Sequence, residues 1–294
     1  MMKLGIITPF KNESKTLEPF IKSILKQKYR DYRWLLINDG SDDGGEVLAK
    51  SLLSGYDNIT VVNREWKIGA RKTGGNVVDV INEGITMFED LEYDWDILLK
   101  IDADTELIDD NHFDFICEKF RMNDSLGIAS GNVYHYSSQG QKIYESKYRW
   151  KTQGQAKYYR RECFEAIGGL KPFKGWDGID DAFARSKGYI TQKFYELDVL
   201  HKYETQTRSD EGGIFAGVKR EVTGYRNRAY PFYFYMVKAL KLIPKKPFIL
   251  RATYFLLYSF YANIFISHKL SKEEVKMIRR HIRNQIKDQF DYID

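Results

Sequence analysis

Several small groups of residues have types and spacings that could do chemistry. Asp102-Ala103-Asp104 closes the run Leu98–Ile101, four apolar or aliphatic-stemmed positions. Two carboxylates one residue apart repel each other unless a proton or a cation lies between them. At the end of a strand both side chains point to one side, so both can face one hard cation. Mg²⁺ and Mn²⁺ take carboxylate oxygens and complete their shells on substrate phosphates, so few protein ligands are needed. A surface loop is the alternative for an isolated Asp-x-Asp.

Asn38-Asp39-Gly40-Ser41 forms a polar turn after a second apolar run. There Asp39 could accept from the imide N–H of a uracil-like base, while Asp42 reads as a helix N-cap. Gly69–Asn76 is a glycine-punctuated loop whose backbone N–H groups, with Arg71 or Lys72, suit a diphosphate. It lacks the ending of a P-loop and the spacing of a dinucleotide fingerprint. Trp176, Asp177, Asp180 and Asp181 fall within six residues. A carboxylate beside an aromatic wall could take the proton of an acceptor hydroxyl; a helix start capped by Asp177 is the alternative. His201 ends the run Glu196–His201 and becomes a candidate ligand if a cation sits at Asp104.

The elements that must position these groups alternate. Residues 3–10, 32–38, 58–65 and 95–104 read as strands. Residues 14–27, 45–55, 74–90 and 111–123 read as helices. Such alternation implies βαβ crossovers and a largely parallel sheet, with ligands gathered at the carboxyl ends of the strands. Asn12-Glu13, Asn38-Asp39, Arg64 and Asp102-Ala103-Asp104 all fall at such ends. Beyond about Gly127 the pattern changes to two antiparallel strands joined at Gly140, short helices over 160–169 and 178–188, and two short strands over 189–204. From Gly212 onward it is helical, with aromatic clusters.

At 294 residues, 43% hydrophobic and 30% charged, the chain is long enough for one large α/β domain with an appendage. The net charge of +5 is modest, and no aromatic-basic platform or known module points to nucleic acid. Two cysteines suit a reducing compartment, and the N-terminus runs straight into a strand, so a cytoplasmic protein is expected. The apolar run Ala252–Ile266 is shorter than a bilayer span. The mixture of aromatics with Lys and Arg over Tyr225–Phe265 suits the headgroup level of an anionic membrane, at the inner face of the cell membrane. Burial of these aromatics against the catalytic domain is the alternative.

Taken in order, "ITPFKNES", "LLINDGSDD", "IDADTEL" and "RRECFEAIGG" resemble the family 2 glycosyltransferases of GT-A fold, over about Lys3 to Tyr203. The resemblance implies an α/β fold with a mixed, mainly parallel sheet and a helical C-terminal extension. It places a catalytic domain at 1–211, with a nucleotide-binding half (1–126) and an acceptor-binding half (127–211), and the extension at 212–294. It implies that Pro9, Asn12 and Glu13 line the nucleotide pocket and that Asp39 reads the base. Arg71 or Lys72 would lie near the ribose or diphosphate, Asp102 and Ala103 at the ribose, and Asp104 on Mn²⁺ or Mg²⁺, with Asp102 and His201 beside it in the metal shell. Asp180 matches the catalytic base, with Asp181 or Asp177 as substitutes, and Trp176 would meet the acceptor. Two departures stand out: Asn38 replaces a usual acid, and the usual Glu-Asp base motif is absent. The implied reaction is inverting transfer from a nucleotide-sugar, a UDP-sugar first of all, to a glycan or lipid-linked acceptor. A nucleotidyltransferase and an inactive sugar-nucleotide-binding protein are the competing readings.

Overall fold

The computed structural model describes residues 1–64, 76–173, 175–202, 213–244 and 248–291. Arg71, Lys72 and the boundary expected at 211/212 lie outside them.

Four strands, β1 (Leu4–Phe10), β2 (Tyr32–Asn38), β3 (Ile59–Asn63) and β4 (Ile97–Ile101), pair in parallel in the order β3-β2-β1-β4. The apolar runs of β1, β2 and β4 are buried on both faces, as a helix-covered parallel sheet requires, while the edge strand β3 is only partly buried. Leu4, Ile6, Trp34, Leu36, Ile97 and Leu99 share one core with residues of α1 (Ser14–Leu25), α2 (Gly45–Leu52) and α4 (His112–Met122). On the other face α3 (Asn76–Asp90) comes so close that a Cβ on Gly84 would lie 2.8 Å from Ile7 Cδ1. The register sets Phe10 opposite Asn38 and Asn38 opposite Asn63, so the carboxyl ends lie in one row.

The sheet then turns mixed. After a tight turn (Thr105 N–H to Asp102 O, 3.2 Å) comes β5 (Thr105–Leu107), followed beyond α4 by β6 (Leu126–Tyr136) and β7 (Lys142–Tyr144). Then come β8 (Ala156–Arg160), α5 (Arg161–Ala166) and β9 (Ile190–His201). β8 inserts antiparallel between β4 and β6, β9 runs parallel to β6, and β5 pairs antiparallel with β9. Gly140, at φ +75°, makes the turn of the expected β6–β7 pair. Beyond it the second of the two expected strands is only three residues long. The two strands expected over 189–204 are one, whose pairing with β6 skips from Lys193 to Asp198 opposite Gly131. β5 and β8 were not expected at all.

The chain divides into two compact units. Met1–Pro172 with Lys187–Glu204 holds the sheet; Phe173–Ser186 with Thr205–Asp294 is mainly helical in its described residues. The second contains α6 (Trp176–Ser186), α7 (Gly213–Asn227), α8 (Phe232–Leu242), α9 (Phe248–Phe265) and α10 (Lys272–Asp291). Its core is Val218, Val222, Tyr235, Ala239, Leu242, Ala252, Phe255 and Ala262. Among the described residues no helix is long and apolar enough to cross a membrane.

Candidate active site

The loops after β1 and β2 are tied to each other. Asn12, at φ +55°, accepts the Asp42 N–H on Oδ1 (2.9 Å) and donates its own N–H to Ser41 Oγ (3.0 Å). Asp43 accepts from Ser14 N–H (2.7 Å) and Gly45 N–H (3.0 Å), so it serves the first turns of both α1 and α2. Against its partial desolvation, these bonds hold its carboxyl below the usual range. The N-cap of α2 is Gly44 and not the expected Asp42, and it is Asp43, just before the cap, that accepts from the first helical N–H. Pro9 is half-buried in β1, and Glu13 is nearly buried at the N-cap of α1.

Asn38 donates from Nδ2 to Asn63 Oδ1 (3.1 Å) and accepts the Ser41 N–H on Oδ1 (2.9 Å). A carboxylate there could not donate to Asn63, which is a physical reason for the amide. Asp39 is buried, and its Oδ1 accepts from Arg64 Nη1 at 2.9 Å. Arg64 in turn forks onto Glu83 of α3, Nε to Oε2 at 2.8 Å and Nη2 to Oε1 at 2.7 Å. The end of β2 is thus braced by a guanidinium fixed on two carboxylates.

Asp102 and Asp104 each face positive charge from the protein itself. The buried Lys100 ammonium lies 2.6 Å from Asp102 Oδ1 and donates to Gly154 O at 2.6 Å. Desolvation raises the Asp102 carboxyl pKa; Lys100 opposes this and the Asp104 charge adds to it. Asp104 Oδ2 lies 3.5 Å from His201 Nε2, a pairing set by the Thr105–His201 register of β5 on β9. His201 Nδ1 lies 2.7 Å from Glu145 Oε1, and Gln155 Nε2 donates to Glu145 Oε2 at 2.8 Å. The Gln155 carbonyl accepts the Asp102 N–H (2.8 Å), so one residue fastens both halves of the cluster. Burial pushes the imidazole pKa down, but Asp104 and Glu145 outweigh it and raise it to about 9. Glu145 is the member of this group that the sequence reading missed.

With Nδ1–H donated to Glu145, Nε2 is the nitrogen left to share a cation with Asp104. Among the described residues no group of three or more His, Cys, Asp or Glu could hold a metal. Two ligands, one carboxylate and one oriented imidazole, suit a hard divalent ion that completes its shell on phosphates and not a closed structural site.

In the second unit, Asp177 lies in the first turn of α6, and its Oδ1 accepts from Arg228 Nη2 at 2.9 Å. Arg228 lies over Gly178, where a Cβ would be 2.8 Å from its Nε. Asp180 and Asp181 are buried, and Asp180 Oδ1 accepts the Asp181 N–H at 2.7 Å. Their charges favour the Arg185 guanidinium, against a larger desolvation that lowers its pKa. Trp176 is half-buried at the start of the helix.

Sequence and fold both have counterparts among known proteins. The sequence model of glycosyl transferase family 2 matches residues 5–79. The family 2 resemblance holds. The poly-beta-1,6-N-acetyl-D-glucosamine synthase of Staphylococcus epidermidis is 30% identical over 122 residues, 41% of this chain and 26% of that protein. The chain thus spans about a quarter of that relative's length. Among solved structures, the mannosyltransferase PcManGT of Pyrobaculum calidifontis, in complex with GDP-Man and Mn²⁺, superposes with a TM-score of 0.56. It is 13% identical, over 90% of this chain and 87% of that one. S. aureus TarS 1–349 also gives 0.56 at 13% identity, over 94% and 77%. The fold is GT-A, mixed α/β with a helical C-terminal region.

Proposed function

We propose that the chain transfers a sugar from a nucleotide-diphosphate donor, a UDP-sugar first of all, to an acceptor hydroxyl with inversion at the anomeric carbon. The observation that carries this reading is the Asp104–His201–Glu145 series beside Asp102 at the carboxyl end of a parallel sheet. The similar structures support the donor class, since PcManGT has been solved with GDP-Man and TarS with UDP-GlcNAc.

Asp39, braced by Arg64, accepts from the base, and Pro9, Asn12 and Glu13 shape the pocket beside it. Asp102 and Ala103 meet the ribose, with the Lys100 ammonium beside Asp102 opposing the desolvation that raises its pKa. Asp104 and His201 would hold Mn²⁺ or Mg²⁺, which when bound neutralises charge on the leaving diphosphate. Glu145 keeps the His201 Nδ1 proton in place. Arg71 or Lys72, which lie outside the described residues, are assigned to the diphosphate by their loop. The acceptor, a glycan or lipid-linked sugar at the cytoplasmic face of the membrane, would meet Trp176. Its proton goes to the acidic cluster of α6, to Asp180 first by its match to the family pattern, with Asp181 or Asp177 as substitutes. The amide of Asn38 has a structural task here, which removes one ground for an inactive protein.

Calorimetry with UDP, GDP, CDP and dTDP, with and without Mn²⁺, tests the reading. One nucleotide should bind in a Mn²⁺-dependent way, and Asp104→Ala should weaken that binding by about 100-fold. Folded protein that binds none of the four would overturn it.

A further inference from the structure

Helix α9 departs from the usual amphipathic pattern, in which large apolar residues face the core and polar ones face water. Its buried stripe is Ala252, Phe255, Ser259 and Ala262, three of them small. Its outward side carries Leu250, Leu257, Phe260, Tyr261, Ile264 and Phe265, with Leu257 66% and Phe265 70% exposed. Helix α8 does likewise, burying Tyr235, Ala239 and Leu242 while Met236, Val237 and Leu240 face out. The exposed rings of Phe232 on α8 and Phe260 on α9 meet edge to face with centroids 6.4 Å apart, which joins the two outward stripes into one apolar face. A single exposed leucine needs no account, whereas a continuous face over two helices marks a contact surface.

Charge identifies what would cover it. From Ala229 to Ser271 the sequence has no Asp or Glu, and its charged side chains are Lys238, Lys241, Lys245, Lys246, Arg251 and Lys269. Glu221 of α7 pairs with Lys238 at 2.9 Å, while Lys241 and Lys269 are exposed. A second copy docked by a two-fold axis would set this positive surface against itself. An anionic lipid surface suits both properties, taking apolar side chains into the acyl boundary and cations among the phosphates.

We propose that the α8–α9 face lies in the interface of an anionic bilayer and anchors the chain without crossing it. The anchor goes beyond the transfer reaction and does not depend on it. The test is flotation of the full chain with vesicles of phosphatidylcholine alone and of phosphatidylcholine containing phosphatidylglycerol. Partitioning should be at least about 10-fold stronger on the anionic vesicles and should fall with added salt. Leu257→Gln with Phe260→Gln replaces exposed residues by good helix formers, so helix content and nucleotide binding should persist while vesicle binding falls about 10-fold. Lys241→Gln with Lys269→Gln should remove roughly fivefold per charge, on anionic vesicles alone. Folded protein that stays off both vesicle types, or a Leu257/Phe260 variant that floats like the wild type, overturns the proposal. So does a dimer in sedimentation velocity that the same variant dissolves, since a second copy would then cover the face.

Discussion

Two carboxylates one residue apart need positive charge close by, and the chain brings it from its own residues. Lys100 reaches Asp102 from inside the same strand, and His201 reaches Asp104 across the β5–β9 ladder. Glu145 then acts through His201: by accepting the Nδ1 proton it fixes which nitrogen faces Asp104. Replacing it should therefore change metal affinity more than it changes the fold. Glu145→Ala is expected to weaken Mn²⁺ binding by about 10- to 100-fold, and Glu145→Gln, which keeps an accepting oxygen, by less. Nitrogen NMR of His201 at a pH above 9, where the imidazole is neutral, should show the tautomer scrambled in the alanine variant. Unchanged Mn²⁺ affinity there would reduce Glu145 to a surface residue. Asp102, Asp104 and His201 were legible because strand ends collect ligands and their types suit a cation. Glu145 was not, since 56 residues separate it from His201 and no spacing rule joins them. Lys100 was visible only as an aliphatic stem within an apolar run. Its ammonium has meaning only once β8 brings the Gly154 carbonyl beside it.

Elements of ordinary length were readable, and short ones were not. The four parallel strands and the helices between them follow from apolar periodicity, since each must bury a face or a stripe. β5 has three residues and β8 five; both are stabilised by their neighbours in the sheet rather than by a pattern of their own. β9 was misread as two strands because four of its residues bulge out where the β6 ladder shifts register. The bulge rests on Gly131: a Cβ there would lie 2.7 Å from Val199 Cγ2 and 2.8 Å from the Leu197 carbonyl oxygen. A backbone oxygen cannot swing aside as a side-chain tip can. Gly131→Ala should therefore cost about 2–3 kcal/mol in urea unfolding, with a shift of His201 visible in its NMR signals, because β9 carries both. A loss below about half a kcal/mol would mean that the bulge re-forms without the glycine.

At the scale of the whole molecule, the sequence reading divided the chain once, whereas its units interleave: α6 joins the C-terminal helices although a strand of the sheet follows it. Nothing local to Trp176–Ser186 announces this, since an amphipathic helix of that length could cover either unit. The stability of the molecule also depends on a residue that no motif singled out. His112, at the start of α4, is fully buried, stacks on Tyr158 with ring centroids 5.9 Å apart, and has neither ring nitrogen hydrogen-bonded. Burial pushes its pKa down to about 3 from 6.5. The unfolded chain therefore takes up a proton as pH falls through 6.5, while the folded chain stays neutral there until about pH 3. The unfolded state binds more protons between these values, so stability is intact above pH 6.5 and drains away as pH drops towards 3. At pH 5 the loss from this one residue is about 2 kcal/mol, from 1.4 kcal/mol per unit. His112→Phe keeps a ring on Tyr158 and removes the titration. Its urea midpoint at pH 7 should match or exceed that of the wild type, because two unsatisfied nitrogens are gone. Between pH 7 and 5 it should lose about 2 kcal/mol less than the wild type does. Parallel pH dependences in the two proteins would show that His112 takes up its proton equally in the folded and unfolded states.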